Sequence, residues 1–343
     1  MQRFFPYLQL TAAIIGMSLA APALAEDKPA VSVSLVSFFN YHYVLAAPEG
    51  AAGDNAFSLE RAYLNIEPKI DDHWSGRLTP DLSAPKVAGE SYKLRLKFSY
   101  IEGKKLMDSG LNVRAGMIPT PFAEPLDKAW GYRVLAKSPL DANKVVASAD
   151  LGVSLGFDWE GGGAKLMVLN GEGYESPEST KGKDLALSVN HEVIDGLVIH
   201  TTADYGTRLG GQSQFWEPDV LTYDSRLVAA LLATFDHDLL RAGAEVAFIH
   251  AKVKAVDDAR EALSLSAYVV GKVNEKIEVP VRFVRFDPNS DAKTGKDDEV
   301  QSVIAGVSYT FAGKMKLIPN VHYEKAGKDD AVITGFMHLE AKL

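Results

Sequence analysis

Cysteine is absent from this 343-residue chain, which excludes disulfide staples, iron–sulfur clusters, thiol catalysis and covalent haem attachment. Beyond the first 25 residues there is no apolar run near the 18 or more that a membrane-spanning helix requires, so any membrane role falls to strands. Positive charge is in deficit: a net charge of −9 makes nucleic acid a poor partner. No glycine-rich phosphate loop, nucleophile elbow or paired metal-ligand spacing occurs. No cofactor, metal or catalytic group is therefore expected, and the chain does not read as an enzyme.

What is present begins at the N-terminus. Arg3 precedes the apolar run LQLTAAIIGMSLA, and Ala23-Leu24-Ala25 stand before Glu26, the pattern of a cleaved secretory signal over residues 1–25. The remainder, 26–343, reads as one domain. Its charge becomes −10 once Arg3 is removed. Hydrophobic residues make up 47% of the chain and the mean hydropathy is −0.04; soluble proteins and transmembrane barrels share such values, because each barrel strand hides half its residues from lipid. Periodicity has to decide.

In YKLRLKFSY, Tyr92, Leu94, Leu96, Phe98 and Tyr100 alternate with Lys93, Arg95, Lys97 and Ser99. As a strand, one face is apolar and the other largely cationic. The same period recurs in segments of about ten residues to the C-terminus, giving about sixteen strands, within the even-numbered range of bacterial barrels. Links alternate in length. Short turns occur near 71–73, 160–163, 195–196, 236–238 and 312–314, and longer links at 46–55, 121–149, 172–183, 206–222 and 287–299. Aromatic residues including Tyr43, Trp74, Tyr100, Trp159 and Tyr309 fall near strand ends, as an interfacial girdle would. The pattern predicts an all-β, transmembrane antiparallel β-barrel whose long third extracellular loop folds into the lumen. Leu94, Leu96 and Phe98 are expected to face lipid, and Lys93, Arg95 and Lys97 to face water. The rival architecture, a large soluble all-β protein, shares the alternation but gives no reason for the loop asymmetry.

Arg61, Lys69, Arg77, Lys93, Arg95, Lys97 and Arg114 share the wet face of early, neighbouring strands. Two readings stand side by side: an anion-attracting wall, or lumen residues paired with Glu60, Glu67 and Asp81. The link 121–149 carries Pro121, Phe122, Trp130 and Tyr132, too apolar for disorder and too long for a simple connection. It is expected to constrict the lumen, with Glu124, Asp127 and Asp141 toward the basic wall and Lys128, Arg133 and Lys137 adding anion contacts.

RAGMIPTPFAE, from Arg114 to Glu124, then ADLGVSLGF, with Asp150 and Gly152, and LNGEGY, with Asn170 and Gly171, resemble the phosphate-selective porin family. The resemblance implies a sixteen-stranded, usually trimeric channel in the bacterial outer membrane, with an inserted third loop and a lumen ladder of arginine and lysine passing anions. The expected partners are small ions and hydrophilic solutes, outer-membrane lipid and lipopolysaccharide, and two further copies in a homotrimer. The net acidity and the terminal Leu343, where an aromatic residue is usual, depart from the pattern.

Weaker signals point elsewhere. Asp287, Asn289 and Asp291 open like a calcium loop, but Ala292 and Asp298 stand where glycine and a bidentate glutamate belong. His42, His200, His322 and His338 fall on the wet face, where lining the lumen suits them better than ligation. A barrel enzyme would need an aligned nucleophile or acid pair at the rim, and a scaffold sheathing a partner protein would reveal itself by co-purification.

Overall fold

The computed structural model describes residues 30–48, 51–85, 90–207, 214–215, 221–253, 258–291 and 298–343, with backbone alone at 214–215, 221–223, 253 and 258. The expected signal over 1–25 lies outside the described residues.

The strands β1 (Ala30–Ala46), β2 (Asn55–Lys69), β3 (Trp74–Ser83), β4 (Lys93–Leu106) and β5 (Leu111–Pro119) lead into two short helices, α1 (Ala123–Trp130) and α2 (Pro139–Ala142). Then follow β6 (Ala149–Trp159), β7 (Gly162–Leu169), β8 (Asp184–Ile194), β9 (Leu197–Thr207), β10 (Gln214–Phe215), β11 (Leu221–Asp236) and β12 (Leu240–Val253). The chain finishes with β13 (Asp258–Lys272), β14 (Ile277–Asp287), β15 (Val300–Gly306), β16 (Ser308–Phe311), β17 (Met315–Ala326) and β18 (Val332–Lys342). Each pairing is antiparallel, and β1 pairs with both β2 and β18, so the sheet closes. The seam is completed where the N–H groups of Leu35 and Leu343 each donate to the other's carbonyl, both at 2.9 Å.

These eighteen segments make sixteen barrel strands. β10 pairs only with β11, while β15 and β16 both lie between β14 and β17 and are two halves of one strand. Pro319 explains that break. Val307 N–H donates to the Pro319 carbonyl at 3.0 Å, but proline has no N–H to return.

Outward residues such as Leu94, Leu151, Val153, Leu155, Leu185, Leu187 and Val281 are exposed and form the apolar belt of a barrel that faces lipid. Proline also changes the strand that first suggested this arrangement. The β3–β4 ladder slips at Pro80: Thr79 lies opposite Phe98 and Pro80 opposite Leu96, leaving Lys97 extra. This is a β-bulge, and beyond it the inward and outward positions exchange. Leu94 and Leu96 face outward and Arg95 and Lys97 inward as the alternation implies, but Phe98, expected in lipid, and Tyr100, expected in the outward aromatic girdle, turn into the lumen. There Arg77 lies 4.5 Å over the Phe98 ring and Arg114 4.8 Å over Tyr100.

The link between β5 and β6 lies inside the barrel. α1 has Glu124 in its first turn and Lys128 in its last, matching the helix dipole, and ends on Gly131 at φ 72°, whose N–H donates to Asp127 O at 3.0 Å. Its apolar side packs onto the far wall: Leu126, Trp130 and Tyr132 cluster with Leu232, Tyr268, Val270, Ile304 and Ile318. Those inward positions of β11–β17 are apolar because protein, not water, covers them. The middle of β11 is accordingly apolar on both faces, with Leu227 and Leu231 exposed outward and Val228 and Leu232 buried inward.

Gly116 in β5 marks a close approach of two strands. Its φ is +125°, and a Cβ there would stand 2.2 Å from the Ser99 carbonyl oxygen. Gly116→Ala is expected to destabilise the folded barrel by on the order of 1–3 kcal/mol, read as a lower urea midpoint. An unchanged midpoint would contradict this close approach.

Candidate functional site

The wall opposite the packed face carries the predicted bases, and most of them have carboxylate partners. Arg61 meets Asp81 at 2.5 Å and Glu175 at 3.8 Å; Arg95 meets Glu175 at 2.6 Å. Arg77 lies 3.4 Å from Glu67, and Arg114 lies 2.5 Å from Glu102 and 3.8 Å from Glu124. Lys69 and Lys93 stand apart from this group. They are exposed at opposite rims, paired with Asp72 at 2.9 Å and Glu90 at 3.0 Å, because both sit at strand ends. Lys97 differs from all of these. Its side chain is buried, and its Nζ lies over the rings of Tyr63, Phe98 and Tyr174 at 5.0, 5.5 and 5.8 Å.

The inserted link presents its charges in two groups. Glu124 reaches the wall, 3.8 Å from Arg114 and 3.7 Å from Lys165. Asp127 and Asp141 instead bracket the link's own Arg133 at 3.0 and 3.3 Å, and Lys137 adds a contact to Asp141 at 3.4 Å. Lys128 is exposed on α1. Burial opposes the Arg133 charge, yet Asp127 and Asp141 overcome it and hold the guanidinium above its ordinary range. Burial also acts on both carboxyls, with different outcomes. Lys137 and Arg133 outweigh it at Asp141, which is held below its ordinary value. At Asp127 burial prevails and the pKa is raised, consistent with a buried Oδ1 that has no hydrogen-bond partner.

Polar anchors from the far wall fix the link. The Tyr132 hydroxyl donates to Glu278 Oε2 at 2.5 Å, with Arg241 and Lys316 on the same carboxylate at 3.2 and 3.4 Å. Burial and then Glu278 push the Tyr132 phenol well up, so it remains a donor. Arg282 Nη1 donates to the Lys137 carbonyl at 2.9 Å and its guanidinium stands 5.5 Å over Trp130, while Arg226 donates to the Val145 carbonyl.

Two cavities lie between the link and β1–β4 among the described residues. The outer, about 380 Å³, is lined by Glu60, Arg61, Ser83, Arg95 and Lys137. The inner, about 240 Å³, is lined by Asn65, Arg77, Thr79, Lys97 and Phe98. Tyr63 and Arg133 line both.

Sequence reasoning brought together Arg61, Arg77, Arg95, Lys97, Arg114 and the link, but it passed over several partners. Tyr63 was legible as a wet-face residue of β2. Glu175 and Tyr174 were not, since they reach Arg95 and Asp81 from a later link. The histidines expected on the wet face do face inward. His322 and His338 pack with Phe336 at 4.5 and 4.9 Å between ring centres, and His338 is 2.8 Å from Asn320 Nδ2. In the calcium-like stretch Asn289 bonds Asp298 and takes Asp287 as an acceptor, while Ala292 lies outside the described residues.

A closed, sixteen-stranded antiparallel barrel with a polar inner wall on one side and an inserted link on the other has the porin fold. No protein-family model matches the sequence, and no curated protein matches it. Solved structures do match in fold. An anion-selective porin from Comamonas acidovorans is 11% identical, with 92% of this chain and 100% of that one covered at a TM-score of 0.67. The in-vitro folded OmpT of Vibrio cholerae in its trimer form is 12% identical, covering 92% and 100% at 0.62. Salmonella typhi OmpF in complex with daunomycin is 11% identical, covering 93% and 99% at 0.65.

Two expectations follow from the link's anchoring. Trp130→Ala removes a fully buried side chain, a change that costs about 3–5 kcal/mol in well-packed cores, and should loosen the link against β11–β17. Limited proteolysis of the folded barrel should then cut within 121–149, and resistance equal to the parent's would contradict the packing. The two aspartates should separate by sign. Asp141, with its pKa lowered on folding, stabilises the folded state at neutral pH and loses that contribution as pH falls through its folded value. Asp127, with its pKa raised, carries a penalty at neutral pH that acid relieves. Asp141→Asn should therefore speed hydrogen exchange across 133–142 at pH 7 more than Asp127→Asn does; the reverse order would refute the assignment.

Proposed function

We propose that this chain is an outer-membrane porin, a channel rather than an enzyme, through which small hydrophilic solutes and ions diffuse passively. The observation that carries the reading is the pair of cavities between β1–β4 and the inserted link, which carry charged residues of the wall and share Tyr63 and Arg133. Permeation is then steric and electrostatic: the link sets the width, and the wall charges set ion preference. The likeness to porins, one of them anion-selective, supports this reading.

Anions, phosphate among them, are drawn chiefly by Lys97, while Glu67, Asp81, Glu102 and Glu175 reduce the field from Arg77, Arg61, Arg114 and Arg95. The proposed preference for anions is accordingly modest. The proposal extends to export through a signal cleaved after Ala25, to an apolar belt in contact with outer-membrane lipid and lipopolysaccharide, and to a homotrimer, for which the trimer form of a structural neighbour is the precedent.

Single-channel current through the purified protein in a planar bilayer, under a potassium chloride gradient, tests the reading. Conductance is expected, with a reversal potential slightly favouring chloride, and Arg95→Glu combined with Arg114→Glu should move that potential toward cations. No conductance would overturn the channel, and an unmoved potential would overturn the role of the wall.

A further inference from the structure

The lining of the inner cavity joins apolar residues, Val36, Phe98, Pro119 and Ala123, to two cations, Arg77 and Lys97. Both cations lie over the Phe98 ring, which the bulge turns inward. Arg77 is held in a fixed orientation, its Nη2 donating to Asn65 Oδ1 and its Nε to Thr79 Oγ1, both at 3.0 Å, with the Phe98 ring beneath it. Among the described residues no carboxylate lies within ion-pair distance of Lys97, whose Nζ is surrounded by aromatic rings.

Charge narrows the possibilities further. The other charges that line the cavity have partners, Arg77 in Glu67, Arg133 in Asp127 and Asp141, and Glu124 in Arg114 and Lys165, which leaves the single positive charge of Lys97 in excess. A singly charged anion neutralises that excess. A doubly charged one overshoots it and meets Glu124 and Asp127 at short range, where a confined site of reduced dielectric magnifies the repulsion. Size matters too: at about 240 Å³ the cavity is below the roughly 300–1,000 Å³ of sites for drug-sized ligands.

We propose that the inner cavity is a binding site for a small organic monoanion, a single carboxylate on a compact apolar body. The carboxylate sits between Lys97 and Arg77, and the apolar body lies against Val36, Phe98, Pro119 and Ala123. Inorganic phosphate and sulfate satisfy the cations but leave those apolar residues uncovered; a neutral analogue covers them but leaves Lys97 uncompensated. Discrimination therefore needs both halves. The outer cavity, whose Arg61 and Arg95 already hold carboxylates, is the approach to this site. The inference rests on the channel reading for its role in transport, though not for the binding itself.

The test uses the full folded barrel with benzoate, inorganic phosphate and benzamide as probes, in calorimetric titration and in the bilayer. Benzoate is expected to bind at least about tenfold more tightly than phosphate or benzamide, and to block potassium chloride current at concentrations where phosphate does not. Lys97→Gln should weaken benzoate binding about tenfold and Lys97→Arg should retain most of it. Should Lys97→Gln fail to fold, Arg77→Gln takes its place, and the comparison of probes on the parent protein stands by itself. Phosphate or benzamide binding as tightly as benzoate would overturn the inference. A barrel that conducts but neither binds nor is blocked by benzoate leaves the channel and removes the site. Selective benzoate binding by a barrel that does not conduct leaves the site and removes the channel.

Discussion

Closure of the sheet is the constraint on which everything else depends. Hydrocarbon offers no hydrogen bonds, so every strand edge facing lipid must be paired. Here that is achieved by the ladder between β1 and β18, from Val36 opposite Lys342 onward, and by the reciprocal bonds between Leu35 and Leu343. Once the sheet is closed, each strand has an outside that must be apolar and an inside free to be anything. The outside is uniform. The inside is where this protein acquires its character.

That inside is divided. The segment 120–148 lies across the lumen with Leu126, Trp130 and Tyr132 against the apolar inner face of β11–β17, leaving the polar inner face of β1–β5 as the wall of the remaining space. The anchors are of two kinds. Aromatic and aliphatic packing supplies most of the contact area, while Arg282, Arg226 and Glu278 fix the register of the segment through bonds to the Lys137 and Val145 carbonyls and to Tyr132. A buried cation bonded to a carbonyl satisfies a group that would otherwise be stranded away from water, so apolar packing and polar satisfaction reinforce each other.

Electrostatics in the open half follow from proximity across strands and links. Arg61, Arg95 and Arg114 are neutralised locally, by Asp81 and Glu175 and by Glu102, which supports the reading of them as paired lumen residues more than as an unbalanced ladder. Lys97 stands out because the bulge at Pro80 gives it aromatic neighbours in place of a carboxylate. Proline acts twice in this barrel by the same means: lacking an N–H, Pro80 and Pro319 each break a ladder, once by adding a residue and once by splitting a strand.

Much of the fold was legible in the sequence. The period of two fixed the strands, the alternation of short and long links fixed their antiparallel succession, and the composition of 121–149 marked that segment as ordered. Arg61, Arg77, Arg95, Lys97 and Arg114 could be assigned to the wet face because parity is a local property of a strand. What a strand cannot state is where a partner interrupts it. Phe98 and Tyr100 were misplaced because the cause, Pro80, lies on the neighbouring strand; the apolar inner face of β11 was unexplained until Trp130 was found against it. Pairing of Arg95 with Glu175, eighty residues later, is likewise a product of closure. The sequence by itself determined which residues prefer lipid, water or a turn, since those preferences belong to each residue and its near neighbours. Only the tertiary structure decided which charges cancel, which face of the lumen stays open and where Lys97 sits, since these depend on groups that meet only after the barrel closes.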